Sequence, residues 1–243
     1  MIALEQARKR LTRGGSSFEL HVPALQIAAG QMVAIVGDSG CGKSTLLDML
    51  ALIMAPTQVQ RFELDFPLAA QRYDVAQLWA EGAESALAGL RRRHLGYVLQ
   101  TGGLLPFLSV RDNVLLPARI KGVEPVNQRL NDLAERLGLS RYLDRPPDAL
   151  SIGQRQRAAI LRALVHGPDL LLADEPTAAV DKLRARQIMD DLQALARDAA
   201  VAVVVVTHDL ELIAGRADGT YTFDTEQVSA TETRSLCRPL SVG

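Results

Sequence analysis

The sequence predicts an α/β protein: a mostly parallel sheet with an antiparallel β edge and an inserted α-helical subdomain. Short apolar runs, typical of buried strands, alternate along the chain with segments of helical period. Short alternating stretches lie near both ends, and residues 102–150 contain no convincing strand. Strands that alternate with helices favour a parallel sheet covered on both faces.

Four apolar runs predict the buried strands, and four longer segments predict helices. The strands are expected at 32–36, 95–99, 170–173 and 201–206, and the helices at 45–54, 127–137, 153–165 and 183–197. The antiparallel edge is expected from residues 19–22, 25–27 and 220–223. We predict one domain over residues 1–243, with a core of about 1–101 and 155–243 and a helical subdomain of about 102–154.

Composition limits the possible partners. The chain has 27 Lys and Arg against 28 Asp and Glu, so it lacks a basic field and we expect no nucleic-acid partner. The longest apolar run, residues 199–206, is far shorter than the roughly 20 residues of a membrane helix. The first eleven residues lack the apolar core of a secretory signal. We therefore expect a chain that does not itself cross a membrane, and its two cysteines fit a reducing compartment.

A glycine-rich segment between a predicted strand and a predicted helix matches the phosphate-loop pattern G-x-x-x-x-G-K-[ST]. Its residues are Gly37, Asp38, Ser39, Gly40, Cys41, Gly42, Lys43, Ser44 and Thr45. Glycines let backbone N–H groups turn toward an anion, and the helix start faces it with its positive dipole end. Lys43 is predicted to reach the β- and γ-phosphates, and Ser44 to ligate Mg²⁺. The pattern predicts a P-loop NTPase fold of the RecA-like type.

Two acidic residues end one of the buried strands. Asp174 and Glu175 follow the apolar run 170–173, where an unpaired charge is costly. At the carboxyl end of a parallel strand both side chains face the ligand crevice. Asp174 is predicted to hold Mg²⁺, usually through water, which leaves Glu175 free to polarise an attacking water.

The segment 150–160 reads LSIGQRQRAAI. It resembles the signature of ABC-family ATPases, LSGGQ, which precedes a helix of pattern QxxRxxIARAL. The other elements of that family occur in the expected order. Gln100 resembles the Q-loop glutamine, residues 178–181 resemble the D-loop, and His208 resembles the H-loop histidine.

The resemblance implies an ATP hydrolase with ATP and Mg²⁺ at its site. By analogy with the family, Glu175, His208 and Gln100 are the catalytic residues. Glu175 activates or positions the water, and His208 contacts the γ-phosphate. Ser44, Gln100 and Asp174 are the residues implied at Mg²⁺.

The family pattern also implies two partners. Two copies of the chain meet head to tail, so that the signature of one faces the phosphate loop of the other. The residues implied at this shared site are Ser151, Ile152, Gly153, Gln154 and Asp181. The second partner is a separate transmembrane permease, which places the chain peripherally on the cytoplasmic side of the inner membrane.

The segment 95–117 reads LGYVLQTGGLLPFLSVRDNVLLP. It is similar to the region after the Q-loop in the lipoprotein-release and macrolide-export class, which implies mechanical work across the envelope. Two alternatives stay open. One is a soluble ABC-type ATPase acting on nucleic acid or ribosomes, although the chain lacks the coiled-coil insertion or second cassette of those members. The other is a regulatory ATP-binding module without turnover, against which Glu175 and His208 argue.

Two positions depart from the family pattern, and Cys41 raises a separate question. Ile152 stands where the signature has its first glycine, and its β-branched side chain restricts approach to a phosphate. Leu11 aligns with the aromatic residue that stacks on adenine in the family, with Phe18 the nearest aromatic, so GTP is expected to substitute more readily. Cys41 lies at a helix start, where the dipole could lower a thiol pKa, although a tolerated small residue is the favoured interpretation.

Overall fold

The computed structural model describes residues 1–67, 70–123, 126–178 and 180–240, without the side chain of residue 199. Its strands are β1 (Ile2–Arg13), β2 (Ser16–Ile27), β3 (Met32–Ile35), β4 (Arg61–Phe66), β5 (Gln71–Asp74), β6 (Leu95–Val98), β7 (Leu170–Asp174), β8 (Ala202–Val206), β9 (Gly219–Ser229) and β10 (Glu232–Pro239). Its helices are α1 (Lys43–Leu50), α2 (Val75–Ala80), α3 (Glu84–His94), α4 (Val110–Lys121), α5 (Asn127–Arg136), α6 (Ile152–Leu164), α7 (Lys182–Ala199) and α8 (Leu210–Ile213).

These strands form one ten-stranded sheet in the order β5-β4-β1-β2-β10-β9-β3-β8-β7-β6. The β9-β3-β8-β7-β6 half is parallel throughout. In the other half all neighbouring pairs are antiparallel except β10 and β2, which run parallel. The predicted α/β class, with a parallel sheet and an antiparallel edge, is therefore confirmed.

The core lies on both faces of the parallel strands. In β8, Val203 and Val205 pack into the cluster formed with α6 and α7, whereas Val204 and Val206 pack into the cluster formed with α1. Because both faces of this strand are covered, its sequence is an unbroken apolar run instead of an alternating one. Strands β3 and β7 are buried on both faces in the same way, which explains why their apolar runs could be recognised in the sequence.

Several elements differ from the sequence-based expectation. The first helix begins at Lys43 and ends at Leu50, because Leu52 adopts a left-handed backbone with φ of 59°. The two predicted edge segments near residue 20 are one strand, β2. Strands β1, β4, β5 and β10 were not predicted from the pattern. Neither were helices α2, α3, α4 and α8; α4 contains Pro117, a residue that argues against a helix interior.

The segment predicted as a helical subdomain contains α4, α5 and two single 3₁₀ turns, Ser140–Tyr142 and Pro147–Ala149. Its described residues contain no strand. Helix α4 packs against α6, which leads back into the sheet. The division of the chain into core and helical subdomain stays a prediction. Across the described ranges, no helix combines the length and apolar character that a membrane span needs.

Candidate functional site

The loop between β3 and α1 has a backbone that suits glycine. Gly42 precedes α1 with φ of 108°, and Gly40 has φ of 82°. A Cβ on Gly42 would lie 3.1 Å from Cζ of Phe18 and 3.3 Å from Cδ1 of Leu20, whereas one on Gly40 would meet nothing within 4 Å. No side chain caps the N-terminus of α1, so its first N–H groups stay free for an anion.

Lys43 folds back over this loop. Its Nζ donates hydrogen bonds of 2.7 Å to the carbonyl oxygen of Gly37 and of 2.7 Å to that of Asp38. Both acceptors are neutral, so the ammonium is held in place without its charge being neutralised. A fixed cation beside free N–H groups is the arrangement that a polyphosphate requires.

Oxygen ligands for a divalent cation converge beside the lysine. Ser44 Oγ donates to Oδ2 of Asp174 across 3.3 Å. Burial raises the pKa of Asp174, and the carboxylates of Glu175 and Asp48 act in the same direction, opposing the hydrogen bond from Ser44. A hydroxyl and a carboxylate in a locally acidic pocket are oxygen donors of the type that Mg²⁺ prefers. The residues present therefore fit this ion.

Glu175 and His208 contact each other at the ends of β7 and β8. His208 Nδ1 lies 3.0 Å from Oε1 and 3.1 Å from Oε2 of Glu175. Glu175 is buried and has a left-handed backbone, with φ of 47°. The hydrogen bond with Glu175, and then the negative charge of that residue, raise the pKa of His208. A non-glycine residue held at positive φ is a feature that concentrates at functional sites.

These groups surround one cleft of about 620 Å³. The predicted residues that line it are Gly37, Asp38, Ser39, Gly40, Gly42, Lys43, Ser44, Thr45, Gln100, Asp174, Glu175 and His208. Leu11 and Phe18 line it as well, and they are cross-strand partners between β1 and β2. The sequence-predicted phosphate, metal and catalytic residues thus come together from four separate parts of the chain.

Cys41 behaves differently from the other loop residues. Its side chain is buried, and burial raises the pKa of its thiol. Burial thus opposes any lowering of this pKa by the helix dipole, which favours the interpretation of Cys41 as a tolerated small residue. Ser235 on β10 donates to the Cys41 carbonyl oxygen at 2.6 Å, which ties the loop to the sheet.

The signature residues lie outside the cleft. Ser151 is the N-cap of α6: its Oγ accepts from the Gln154 N–H at 3.3 Å, and the Gln154 side chain accepts from the Ser151 N–H at 2.8 Å. Both Ser151 and Ile152 are exposed, the latter by 62%. Asp181 caps α7 by accepting from Arg184 N–H at 3.0 Å. Ala179, within the predicted D-loop, falls outside the described residues.

One acidic residue beside the cleft, Asp48, was not predicted from sequence. Asp48 lies on α1, accepts a 2.9 Å hydrogen bond from Tyr97 and adds negative charge beside Asp174. It stands four residues after Ser44, and that spacing places the two residues on one face of the helix. The spacing was the available signal, although it is common in helices and carries little specificity.

A P-loop fold with this cleft defines a nucleotide-binding protein of the NTPase class. The model of the ABC transporter family matches residues 20–178. The chain belongs to this family, and the predictions of that membership and of an ABC-type ATPase are confirmed. The fold alone does not define the signature sequence, so it is the signature that distinguishes this chain within the NTPase class.

Individual relatives agree with this assignment. The chain is 38% identical to the lipoprotein-releasing system ATP-binding protein LolD of Gluconobacter oxydans, over 91% of this chain and 92% of that protein. It is 44% identical to the macrolide export ATP-binding/permease protein MacB of Salmonella choleraesuis over 80% of this chain, but it spans only 28% of that protein. The dimeric structure of the bacterial ABC transporter cassette MJ0796 superimposes with a TM-score of 0.80 at 32% identity, covering 91% of this chain and 94% of that one.

Proposed function

We propose that two copies of this chain bind MgATP between them, hydrolyse it, and drive conformational change in a separate transmembrane permease. The observation that carries the proposal is the separation of the two half-sites. The cleft holds Lys43, Glu175 and His208, whereas Ser151 is exposed at the start of another helix. A second copy can supply that hydroxyl and helix N-terminus to the open side of the cleft. The dimeric MJ0796 cassette supports this arrangement.

The proposed reaction is in-line transfer of the γ-phosphoryl group to water. The water oxygen forms the new bond to phosphorus, the bond to the β–γ bridging oxygen breaks, and Glu175 orients the water and accepts its proton. His208 Nδ1 contacts the Glu175 carboxylate at 3.0 Å and holds its orientation. Lys43 and the N–H groups of the loop bind the triphosphate. Mg²⁺, held through Ser44 and Asp174 with Gln100 nearby, would supply positive charge beside the phosphate oxygens.

We assign the transport class from the relatives. The relative LolD, a lipoprotein-releasing protein, is matched over 92% of its length, and the relative MacB is a macrolide export protein. Both names describe release or export, which supports work on the envelope. We infer that the chain lies peripherally on the cytoplasmic face of the inner membrane. The exposed side chain of Phe107, in the segment that resembles this class, is suited to contact with a permease.

The test is Glu175→Gln in the purified chain, with Glu211→Gln as the control because Glu211 lies outside the cleft in the first turn of α8. We expect Glu175→Gln to bind MgATP, to elute as a dimer and to release phosphate about 100-fold or more slowly than wild type. The control should hydrolyse like wild type. A Glu175→Gln variant that turns over normally, or stays monomeric with MgATP, would contradict the proposal.

A further inference from the structure

The guanidinium of Arg162 donates two hydrogen bonds to the loop that follows Gln100. Arg162 lies in the last turn of α6, and its Nη1 donates to the carbonyl oxygen of Gly103 at 2.7 Å while its Nη2 donates to that of Gly102 at 2.9 Å. The fork of a guanidinium is rigid and planar, so two simultaneous bonds fix the position of both carbonyl groups. A side chain of α6 thereby sets the backbone of a loop at the cleft.

The loop has a conformation that depends on glycine. Gly102 and Gly103 have φ of 73° and 58°, and the N–H of Gly102 donates to the carbonyl oxygen of Leu99 at 2.9 Å. A Cβ on Gly103 would lie 2.9 Å from Cδ1 of Leu99. Two successive left-handed residues are costly for other side chains. The pair therefore presents its two carbonyl groups to Arg162 through a defined and restricted geometry.

Gln100 has no hydrogen-bonding partner of its own among the described residues. Its side chain is exposed and lines the cleft together with Ser44 and Glu175. No intramolecular bond to its amide holds it there, so its placement depends on the backbone of residues 99–103. That backbone is the part which Arg162 holds.

One stripe of α6 faces this loop. The position of a Cβ on Gly102 would be 3.7 Å from Cβ of Ala159 and 3.8 Å from Oε1 of Gln156. Gln156, Ala159 and Arg162 are spaced by three residues, so they share a face of the helix. Gln156 is itself buried, and its Nε2 has no partner in the described part of the chain. The loop thus packs along this face of α6, and the two hydrogen bonds of Arg162 lie at the end of the contact.

We propose that Arg162 is a positioning residue that holds Gln100 in the cleft and couples it to the opposite end of α6. That end begins at Ser151, so a displacement of α6 when Ser151 engages a second copy would move the loop and Gln100 with it. The inference rests on the proposed function, which supplies the reaction that Gln100 serves. It adds a residue that touches neither nucleotide nor metal yet controls a group that does.

The first test compares Arg162→Met with Lys121→Met. Lys121 is a matched control, because its Nζ also donates to two successive carbonyl groups, those of His166 and Gly167, away from the cleft. We expect Arg162→Met to lower kcat for phosphate release roughly 10- to 100-fold, as misplacement of a catalytic group does, with KM for MgATP changed by less than about twofold. Lys121→Met should keep kcat, and Arg162→Lys should recover part of it. Equal kcat losses in the two methionine variants would overturn the proposal.

A double-mutant cycle separates positioning from general structural damage. If Arg162 acts through Gln100, adding Arg162→Met to Gln100→Ala should lower kcat by less than about twofold beyond Gln100→Ala alone. If the kcat losses of the two single variants multiply in the double variant, Arg162 does not work through Gln100, and the inference is overturned.

Amide hydrogen exchange tests whether Arg162 fixes the loop at Gly102 and Gly103, without relying on turnover. In the wild-type chain we expect the Gly102 N–H, which donates to the carbonyl oxygen of Leu99 at 2.9 Å, to be protected, and in Arg162→Met that protection should fall while α6 keeps its own. Lys121→Met should leave the loop as in wild type. If the wild-type chain releases no phosphate, the proposed function fails, but hydrogen exchange still tests whether Arg162 fixes the loop. Unchanged protection in Arg162→Met would refute the inference.

Discussion

Nδ1 of His208 lies 3.0 Å from Oε1 of Glu175, so residues that follow two neighbouring parallel strands hold each other. The histidine side chain is 72% exposed, whereas that of the glutamate is 11% exposed. Glu175 keeps a left-handed backbone, which costs of order 1–3 kcal/mol and persists only where surrounding contacts impose it. His208 is therefore placed to fix the orientation of the carboxylate that the proposed reaction uses.

Replacing His208 should impair turnover more than nucleotide binding. In His208→Ala the carboxylate of Glu175 loses its hydrogen-bond partner, and we expect phosphate release to fall roughly 10- to 100-fold with ATP affinity nearly unchanged. His21→Ala is the control, because His21 bonds Gln6 in the antiparallel half of the sheet, outside the cleft. Phosphate-release and nucleotide-titration assays on both variants check this. Normal turnover in His208→Ala would contradict the role of the pair.

Ser151 should contribute to dimer formation beyond its role as a helix cap. Ser109 caps α4 in the same way, since its Oγ accepts from the Asp112 N–H at 3.0 Å. Ser109→Ala and Ser151→Ala should each lose about 1 kcal/mol of stability through the missing cap. In a Glu175→Gln background, only Ser151→Ala should weaken MgATP-dependent dimerisation.

Thermal unfolding and sedimentation of the two serine variants provide the measurements. The comparison removes the cap from both helices, so a difference in dimerisation isolates contact with the second copy. If the two variants dimerise equally well, Ser151 acts only as a cap and the proposed shared site loses its main support.

The parts of the site that sequence predicted are those in which chemistry restricts residue type. The phosphate loop needs its glycines and Lys43, and the acids after β7 stand out because charge rarely ends a buried run. The contact of Arg162 with Gly102 and Gly103 joins residues about 60 positions apart, and no local pattern encodes it. Strand β1 was missed for a related reason: its half-exposed, charged sequence is stabilised by pairing with β2 and β4.

Two glycines of the phosphate loop should respond differently to substitution. Gly42→Ala places a Cβ 3.1 Å from Phe18 at a φ of 108°, so we expect a loss of roughly 1–3 kcal/mol in stability together with weaker ATP binding. Gly40→Ala also has positive φ, 82°, but opens onto free space. Its loss should be confined to about 1 kcal/mol of backbone strain. Urea unfolding and ATP titration of both variants test the difference, and equal losses would mean that contact with Phe18 is unimportant.

Discrimination between ATP and GTP should be weak. Leu11, which our alignment places at the position of the stacking aromatic, is the cross-strand neighbour of Phe18, which in turn packs against Gly42. An aliphatic side chain offers apolar contact without the hydrogen bonds that distinguish purines. We expect GTP to compete with ATP within about 10-fold in affinity, since an apolar surface discriminates polar isosteres poorly. A strong preference for ATP in a competition titration would show that another group recognises the base.

His166 should make the folded chain sensitive to mild acid. The ring is buried, its Nε2 lies 3.0 Å from the carbonyl oxygen of Leu95, and its Nδ1 has no partner among the described residues. Burial lowers the pKa of His166 to about 4. Because this lies below the ordinary value of 6.5, the unfolded chain binds more protons between pH 4 and 6.5. Stability from this group is complete above pH 6.5 and is lost as the pH falls toward 4.

The loss should be of the order of 2–3 kcal/mol, given about 1.4 kcal/mol for each unit of pKa. His166→Gln keeps a donor for Leu95 but cannot titrate, so its unfolding free energy should fall less between pH 7 and pH 4.5 than that of the wild type. His21→Gln is the control: burial lowers the pKa of His21 too, yet its ring is only partly buried, so removing it should change the acid response little. Urea unfolding at three pH values measures the difference. If the unfolding free energies of His166→Gln and wild type fall equally with pH, the ring is protonated inside the fold without cost.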